Sequence, residues 1–323
     1  MITFSQARMQ ADLILVAILD YLSVCKELQP EDKNRVAIIK GRVYTLRKEL
    51  SCDILHDENL LWVKDLEKID KPVLTHLETN IMDGCNLNCR GCSHFSNLFG
   101  IEEHVPFSSF CKDLKQIAEH TNITQLYLLG GEALLNRQLT DYIDFSRKTL
   151  PETDIQIVSN GLLIPKQEEE FFHCCRENDI SISISGYAPT LMIKEKIINV
   201  LENNHVEYSF RDEVLDFGKN IDLQGLANPE IAAKTCREKA CHFFRNGRIY
   251  KCPFEALGNR LFTHYGVEIR FHGGIDLYDP DLDWDELVRQ LDETPVFACR
   301  YCGKEERTEW KIEHNPKLDD WII

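Results

Sequence analysis

The chain has 323 residues, with 53 acidic against 37 Lys plus Arg, a formal charge of −16. That balance argues against a nucleic-acid surface or a polybasic membrane patch. A composition of 43% apolar and 28% charged residues is that of an ordinary globular protein, and the length suggests about two domains. The apolar run Leu13 to Leu19, flanked by Asp12 and Asp20, is too short for a membrane span, which needs ~20 residues. No signal-peptide pattern is legible. Thirteen cysteines are an odd number, and close pairs such as Cys299 and Cys302 suggest metal before disulfides. The expected location is cytoplasmic.

Residues 1–70 read as a helical extension. Ile14, Ala17, Ile18, Tyr21, Leu22, Cys25 and Leu28 fall on one face at helical spacing, as do Val36, Ile39, Val43, Leu46 and Leu50. From Pro72 strands alternate with helices: strands near 73–80, 125–129, 155–159, 180–185 and 206–210, with helices of 10–15 residues between them. This rhythm means βαβ units and a parallel sheet. Five strands, with a sixth possible, are too few for an eight-stranded barrel, so the fold expected is α/β, a partial (βα)6 TIM-like barrel over 71–212. Beyond it, 212–234 reads as loop, and Asn246-Gly247 between apolar flanks signals a hairpin. The stretch Asp276 to Glu293 carries eight acidic residues and reads as a solvated face. There are no internal repeats.

The loop after the first barrel strand runs Asp83-Gly84-Cys85-Asn86-Leu87-Asn88-Cys89-Arg90-Gly91-Cys92. Three thiolates on one curled loop can hold an iron–sulfur cluster with one iron left open. Zinc is the rival reading, with His94 as fourth ligand, and spacing alone leaves both standing.

The spacing Cys85-x3-Cys89-x2-Cys92 at this place resembles the radical S-adenosylmethionine (radical SAM) enzymes, as does Gly130-Gly131-Glu132 at the end of the second strand. The resemblance covers about 72–210. It implies a 4Fe–4S cluster on Cys85, Cys89 and Cys92 whose open iron is chelated by S-adenosylmethionine. Gly130, Gly131, Glu132, Ser159 and Asn160 would then contact that cofactor, with Ser183 and Ser185 as ribose contacts. All stand at strand carboxyl ends, where such folds place their sites. Two departures stand out: Gly91 replaces an aromatic residue that would stack on adenine, and Ala133 replaces a proline. His94 or Phe95 is the expected substitute for the aromatic.

A second group, Cys241, Cys252, Cys299 and Cys302, combines the two ends of the hairpin with a distant close pair. Four thiolates suit zinc or a cluster. The pattern resembles the SPASM domain and its shortened form, twitch, which implies one saturated auxiliary 4Fe–4S cluster in a small domain over 213–323. Cys236 is a fifth candidate, as ligand in place of Cys241 or as hydrogen-atom donor. Cys25, Cys111 and Cys175 read as structural, and Cys52 and Cys174 carry no signal.

The resemblance implies a radical SAM oxidoreductase or epimerase that uses flavodoxin or ferredoxin as electron donor. Its 5′-deoxyadenosyl radical would take a hydrogen atom from a small sugar- or cyclitol-like substrate, with Arg211, Tyr187 and His205 as possible contacts. The two alternatives are a maturase of a ribosomal peptide and a zinc-stabilised binding protein without radical chemistry. The sugar reading rests on an N-terminal segment without the strands that a peptide-recognition domain requires.

Overall fold

The computed structural model describes residues 71–323, together with the backbone of three short strands before them. Those strands, β1 (Ile14–Val16), β2 (Val36–Ile39) and β3 (Leu60–Trp62), form one small sheet, with β1 parallel and β3 antiparallel to β2. The helical expectation is therefore corrected at Ile14–Val16 and Val36–Ile39. Short apolar runs rich in Ile and Val satisfy a helical stripe and a strand equally, and here β-branching and cross-strand pairing prevail. The rest of 1–70, with Cys25 and Cys52, lies outside the described residues.

The main domain follows in chain order. Strands β4 (Val73–Leu74) and β5 (Leu77–Met82) precede the cysteine loop, and α1 (Phe107–His120) leads to β6 (Asn122–Ile123) and β7 (Gln125–Gly130). Then come α2 (Leu139–Thr149), β8 (Asp154–Ser159), α3 (Glu169–Glu177), β9 (Ser181–Gly186), α4 (Ala188–Met192), α5 (Lys194–Asn203) and β10 (Tyr208–Glu213). The C-terminal part adds β11 (Asp216–Ile221), α6 (Pro229–Thr235), β12 (His242–Arg245), β13 (Arg248–Tyr250), α7 (Pro253–His264), β14 (Ile275–Asp276), α8 (Trp284–Glu293) and β15 (Cys302–Glu309).

The central sheet has the order β10-β9-β8-β7-β5-β12-β13-β14. Its first six strands run parallel, which is the α/β, partial-barrel arrangement that the alternation implies. The sixth parallel strand is not another βα repeat. It is β12, the first arm of the Asn-Gly hairpin, which pairs with β5 through His242↔Leu77 and Phe243↔Glu78. Asn246 and Gly247 both have positive φ, 52° and 78°, as a two-residue turn of the primed type requires.

The period of two sorts the strand residues between two environments. Leu126 and Leu128, Ile155 and Ile157, and Ile182 and Ile184 bury themselves with Phe110, Leu114, Tyr142, Phe171 and Ile197 of the helices. The opposite face carries Glu78, Tyr127, Leu129, Val158 and Ser185, which line a cavity at the strand ends. A second apolar cluster, including Phe95, Phe243, Phe254, Phe262 and Trp321, joins the C-terminal segment to the barrel. Strand β15 pairs antiparallel with β11, and the tail beyond it lies against the cysteine loop. Cys89 bridges Ile312, Arg90 N donates to Lys311 O at 2.9 Å, and Trp321 Nε1 donates to Cys92 O at 2.9 Å.

Candidate functional site

One cavity of 420 Å³ collects most of the residues singled out in the sequence. Cys85, Cys89, Cys92, Gly130, Gly131, Ser159, Asn160 and Ser185 line it, together with His94, Tyr187 and Arg211. The cysteine loop leaves β5 beside the end of β7, and the glycines permit that approach. A Cβ on Gly130 would lie 1.8 Å from Met82 O, and one on Gly131 would lie 2.3 Å from Gly84 O. Asn160 holds the loop from the third strand, its Nδ2 donating to Asn86 Oδ1 at 2.7 Å.

Two residues stand behind the wall and do not line it. Glu132 is 0% exposed and accepts from Leu134 N (3.0 Å), Ser159 Oγ (2.7 Å) and Asn160 N (2.8 Å). Its carboxylate clamps the ends of β7 and β8 together. Burial raises its pKa, and the three donors pull the other way. Ser183 likewise turns to protein, accepting from Arg211 Nε at 3.0 Å.

The missing aromatic before the third cysteine has a steric cause. Gly91 has φ +67°, and a Cβ there would lie 2.7 Å from Asp320 O, so the C-terminal tail occupies the space. Phe95 is 1% exposed and packs near Trp321 and Phe254, away from the cavity, so that of the two expected substitutes only His94 is on its wall, with His76, Tyr127, Tyr187 and Phe217 as the other rings there. His94 Nδ1 lies 3.0 Å from Asn80 Oδ1. His205 is exposed in a turn.

Burial pushes the Cys85 thiol up, with the Glu132 charge adding to it, and raises Cys89 to about 12, with the Cys92 sulfur adding. A bound cluster needs thiolates, so loading it would release protons. Three sulfurs on one loop, next to a backbone edge and hydrogen-bonding Ser and Asn side chains, fit a cluster with one free corner and an adjoining polar ligand.

Of the second cysteine group, Cys241 lines that cavity and Cys236, Cys252, Cys299 and Cys302 do not. Cys302 is pushed up by burial, then by Cys299 and Cys236; Cys252 by burial and then Cys302. Cys299 also acts on Cys236. Cys241, on the main cavity, is raised by burial, and Glu78, Glu238 and Cys236 add to the effect. Glu238 is itself raised to about 7 by burial and by the charges of Glu78 and Glu305. His76, Glu78, Tyr127 and Glu238 escaped the sequence reading. The available signal was Glu78, a carboxylate inside a strand of otherwise uncharged residues.

The parallel α/β sheet with a three-cysteine loop at its strand ends was compared with known proteins. Residues 79–209 match the radical SAM superfamily, so the chain carries a radical SAM superfamily domain there. That superfamily implies a 4Fe–4S cluster and S-adenosylmethionine. A GTP 3′,8-cyclase of Thermodesulfovibrio yellowstonii is 26% identical over 102 residues, covering 31% of this chain and 32% of the cyclase. Another, from Syntrophomonas wolfei, is 26% identical over 173 residues, covering 45% and 50%. The chain thus spans about a third to a half of the length of these curated relatives. Among solved structures, BtrN in complex with AdoMet and 2-DOIA aligns over 78% of this chain and 100% of that one, with 13% identity and a TM-score of 0.45. Among the described residues no helix is long and apolar enough to cross a membrane.

Proposed function

We propose that this protein is a radical SAM enzyme acting on a small polar molecule, with residues 71–212 as its radical domain and 213–323 as an auxiliary-cluster domain. The single observation that carries the reading is the convergence of Cys85, Cys89 and Cys92 with Gly130, Gly131, Ser159 and Asn160 on one cavity. When bound there, the cluster and S-adenosylmethionine would supply a 5′-deoxyadenosyl radical that takes a hydrogen atom from an unactivated carbon. The chain's own part is to position and to exclude. Gly130 and Gly131 keep the wall flat, Asn160 tethers the loop, and Tyr187, stacked 5.3 Å from Trp310, closes one side against water.

For the auxiliary cluster we place Cys236, Cys252, Cys299 and Cys302 ahead of the set containing Cys241. Cys252 stands at the N-cap of α7, where the helix dipole favours a thiolate, and Cys299 and Cys302 flank the start of β15. An auxiliary cluster would supply an electron acceptor, which suits an oxidation; flavodoxin or ferredoxin would be the external donor.

A 420 Å³ cavity lined by Glu78, Arg211, Arg237 and Glu238 suits a sugar- or cyclitol-like substrate, oxidised or epimerised. A peptide maturase is the second reading. The sheet β1–β3 favours it, because the sugar reading had leaned on an N-terminal segment without strands. The test is anaerobic iron reconstitution followed by dithionite and S-adenosylmethionine. A radical SAM enzyme with two clusters holds about eight irons, falling to about four in the Cys85→Ala/Cys89→Ala/Cys92→Ala variant. A colourless protein that retains zinc would favour a binding protein without radical chemistry.

A further inference from the structure

The same cavity holds a cluster that the radical chemistry leaves unused. His76, Glu78 and Cys241 each offer one ligand atom, and these nitrogen, oxygen and sulfur atoms all lie within 4.8 Å of one another. The pairing of β12 with β5 creates the group: His242 stands opposite Leu77, which brings the preceding Cys241 beside His76. His76 and Glu78 are 3% and 5% exposed.

Hydrogen bonding dictates what lies between them. Gln125 Nε2 donates to Asp154 Oδ2 at 2.9 Å, so Gln125 turns its Oε1 to His76 Nδ1 at 3.1 Å. Nδ1 therefore donates to Gln125, and Nε2 faces Glu78 Oε2, 3.1 Å away. A buried ring nitrogen and a carboxylate oxygen at that distance need a proton or a metal ion between them. A proton would satisfy the pair alone but leaves the Cys241 sulfur without a role. Glu238 and Arg211 line the same cavity beside this group.

We propose that His76, Glu78 and Cys241 bind a zinc-class divalent cation, with its fourth position open to the cavity for an oxygen of the substrate. With bonds of ~2.0 Å to nitrogen and oxygen, a tetrahedral centre sets its N···O edge at about 3.3 Å, close to the 3.1 Å between His76 and Glu78. A mixed N, O and S donor set suits zinc, whereas magnesium and calcium take oxygen. The Gln125–Asp154 relay behind Nδ1 is the support that ligating histidines commonly have. Binding of the cation requires neither S-adenosylmethionine nor the radical reaction, so it is tested separately from the proposed function.

The experiment adds Zn²⁺ to the full-length, iron-replete protein under anaerobic conditions, removes loose metal, and counts zinc and iron by mass spectrometry. About one zinc per chain is expected, with a zinc-edge absorption spectrum showing one sulfur near ~2.3 Å and nitrogen or oxygen near ~2.0 Å. Cys241→Ser and His76→Gln each lose the zinc and keep the iron. Gln125→Leu, which leaves all three ligands in place, weakens zinc binding about 10- to 100-fold. The inference is overturned if iron-replete protein retains no zinc, which leaves a proton between His76 and Glu78. It is equally overturned by a four-sulfur shell, by zinc that survives in His76→Gln, or by Cys241→Ser losing iron.

Discussion

Arg245 and Asp83 form a bidentate ion pair, Nη1 to Oδ1 and Nη2 to Oδ2 both at 3.0 Å, with side chains only 13% and 4% exposed. The pair joins the hairpin of the C-terminal segment to the residue that launches the three-cysteine loop. Asp83 Oδ1 also accepts from Asn80 Nδ2 at 3.2 Å, and Asn80 Oδ1 meets His94 Nδ1 at 3.0 Å. A continuous chain of polar contacts therefore runs from Arg245 to the cavity wall.

Removing one partner leaves the other charge buried and unpaired. Arg245→Ala should therefore lower unfolding stability by about 3–5 kcal/mol, and Arg245→Lys, which loses the fork, by less. Anaerobic denaturant titration checks this; an unchanged midpoint in Arg245→Ala would deny the pair its structural role.

Glu132 clamps β7 to β8 through Ser159 and Asn160. Glu132→Gln turns an amide donor toward groups that themselves donate, so about 1–3 kcal/mol of stability should be lost, and the ends of β7 and β8 should loosen. S-adenosylmethionine affinity, measured by equilibrium dialysis, should fall with stability. Full stability with lost affinity would show instead that the carboxylate contacts the cofactor.

Gly91 is required by the tail. Gly91→Ala places a Cβ 2.7 Å from Asp320 O on a backbone with φ +67°, which should cost roughly 1–2 kcal/mol. Gly91→Phe should be worse, and neither variant should improve cofactor binding. A stable Gly91→Phe protein with tighter binding would contradict this account of the missing aromatic.

The two candidates for the fourth auxiliary ligand separate by iron count. Cys236→Ala should lose about four of about eight irons, whereas Cys241→Ala should keep them all. The reverse result would restore the ligand set first expected from the hairpin ends.

Much of the barrel was legible because strands alternate with helices of 10–15 residues from Pro72 on; which side chains of a strand face the cavity, Tyr127 and Leu129 and not Leu126 and Leu128, came only with the fold. The Asn246-Gly247 turn was equally plain, yet the pairing of its first arm with β5 depends on contacts more than 150 residues apart in sequence, which local pattern cannot carry. Strands β11 and β15 escaped notice for a different reason. β11 is half-buried and short, with only Phe217 and Ile221 apolar, and the largely solvent-facing Cys302–Glu309, CGKEERTE, has no apolar alternation to read. The motif residues Gly130 and Gly131 were visible as types, but their steric partner, the backbone of Met82 to Gly84, was not. His76, Glu78 and Cys241 gather only through the β5–β12 pairing, so no spacing in the chain announces them.

The most direct test of the central claim is the release of 5′-deoxyadenosine. Iron-reconstituted protein, kept free of oxygen and given dithionite and S-adenosylmethionine, should produce it, and the Cys85→Ala/Cys89→Ala/Cys92→Ala variant should not. No 5′-deoxyadenosine from the iron-loaded protein, or equal amounts from the variant, would contradict the account.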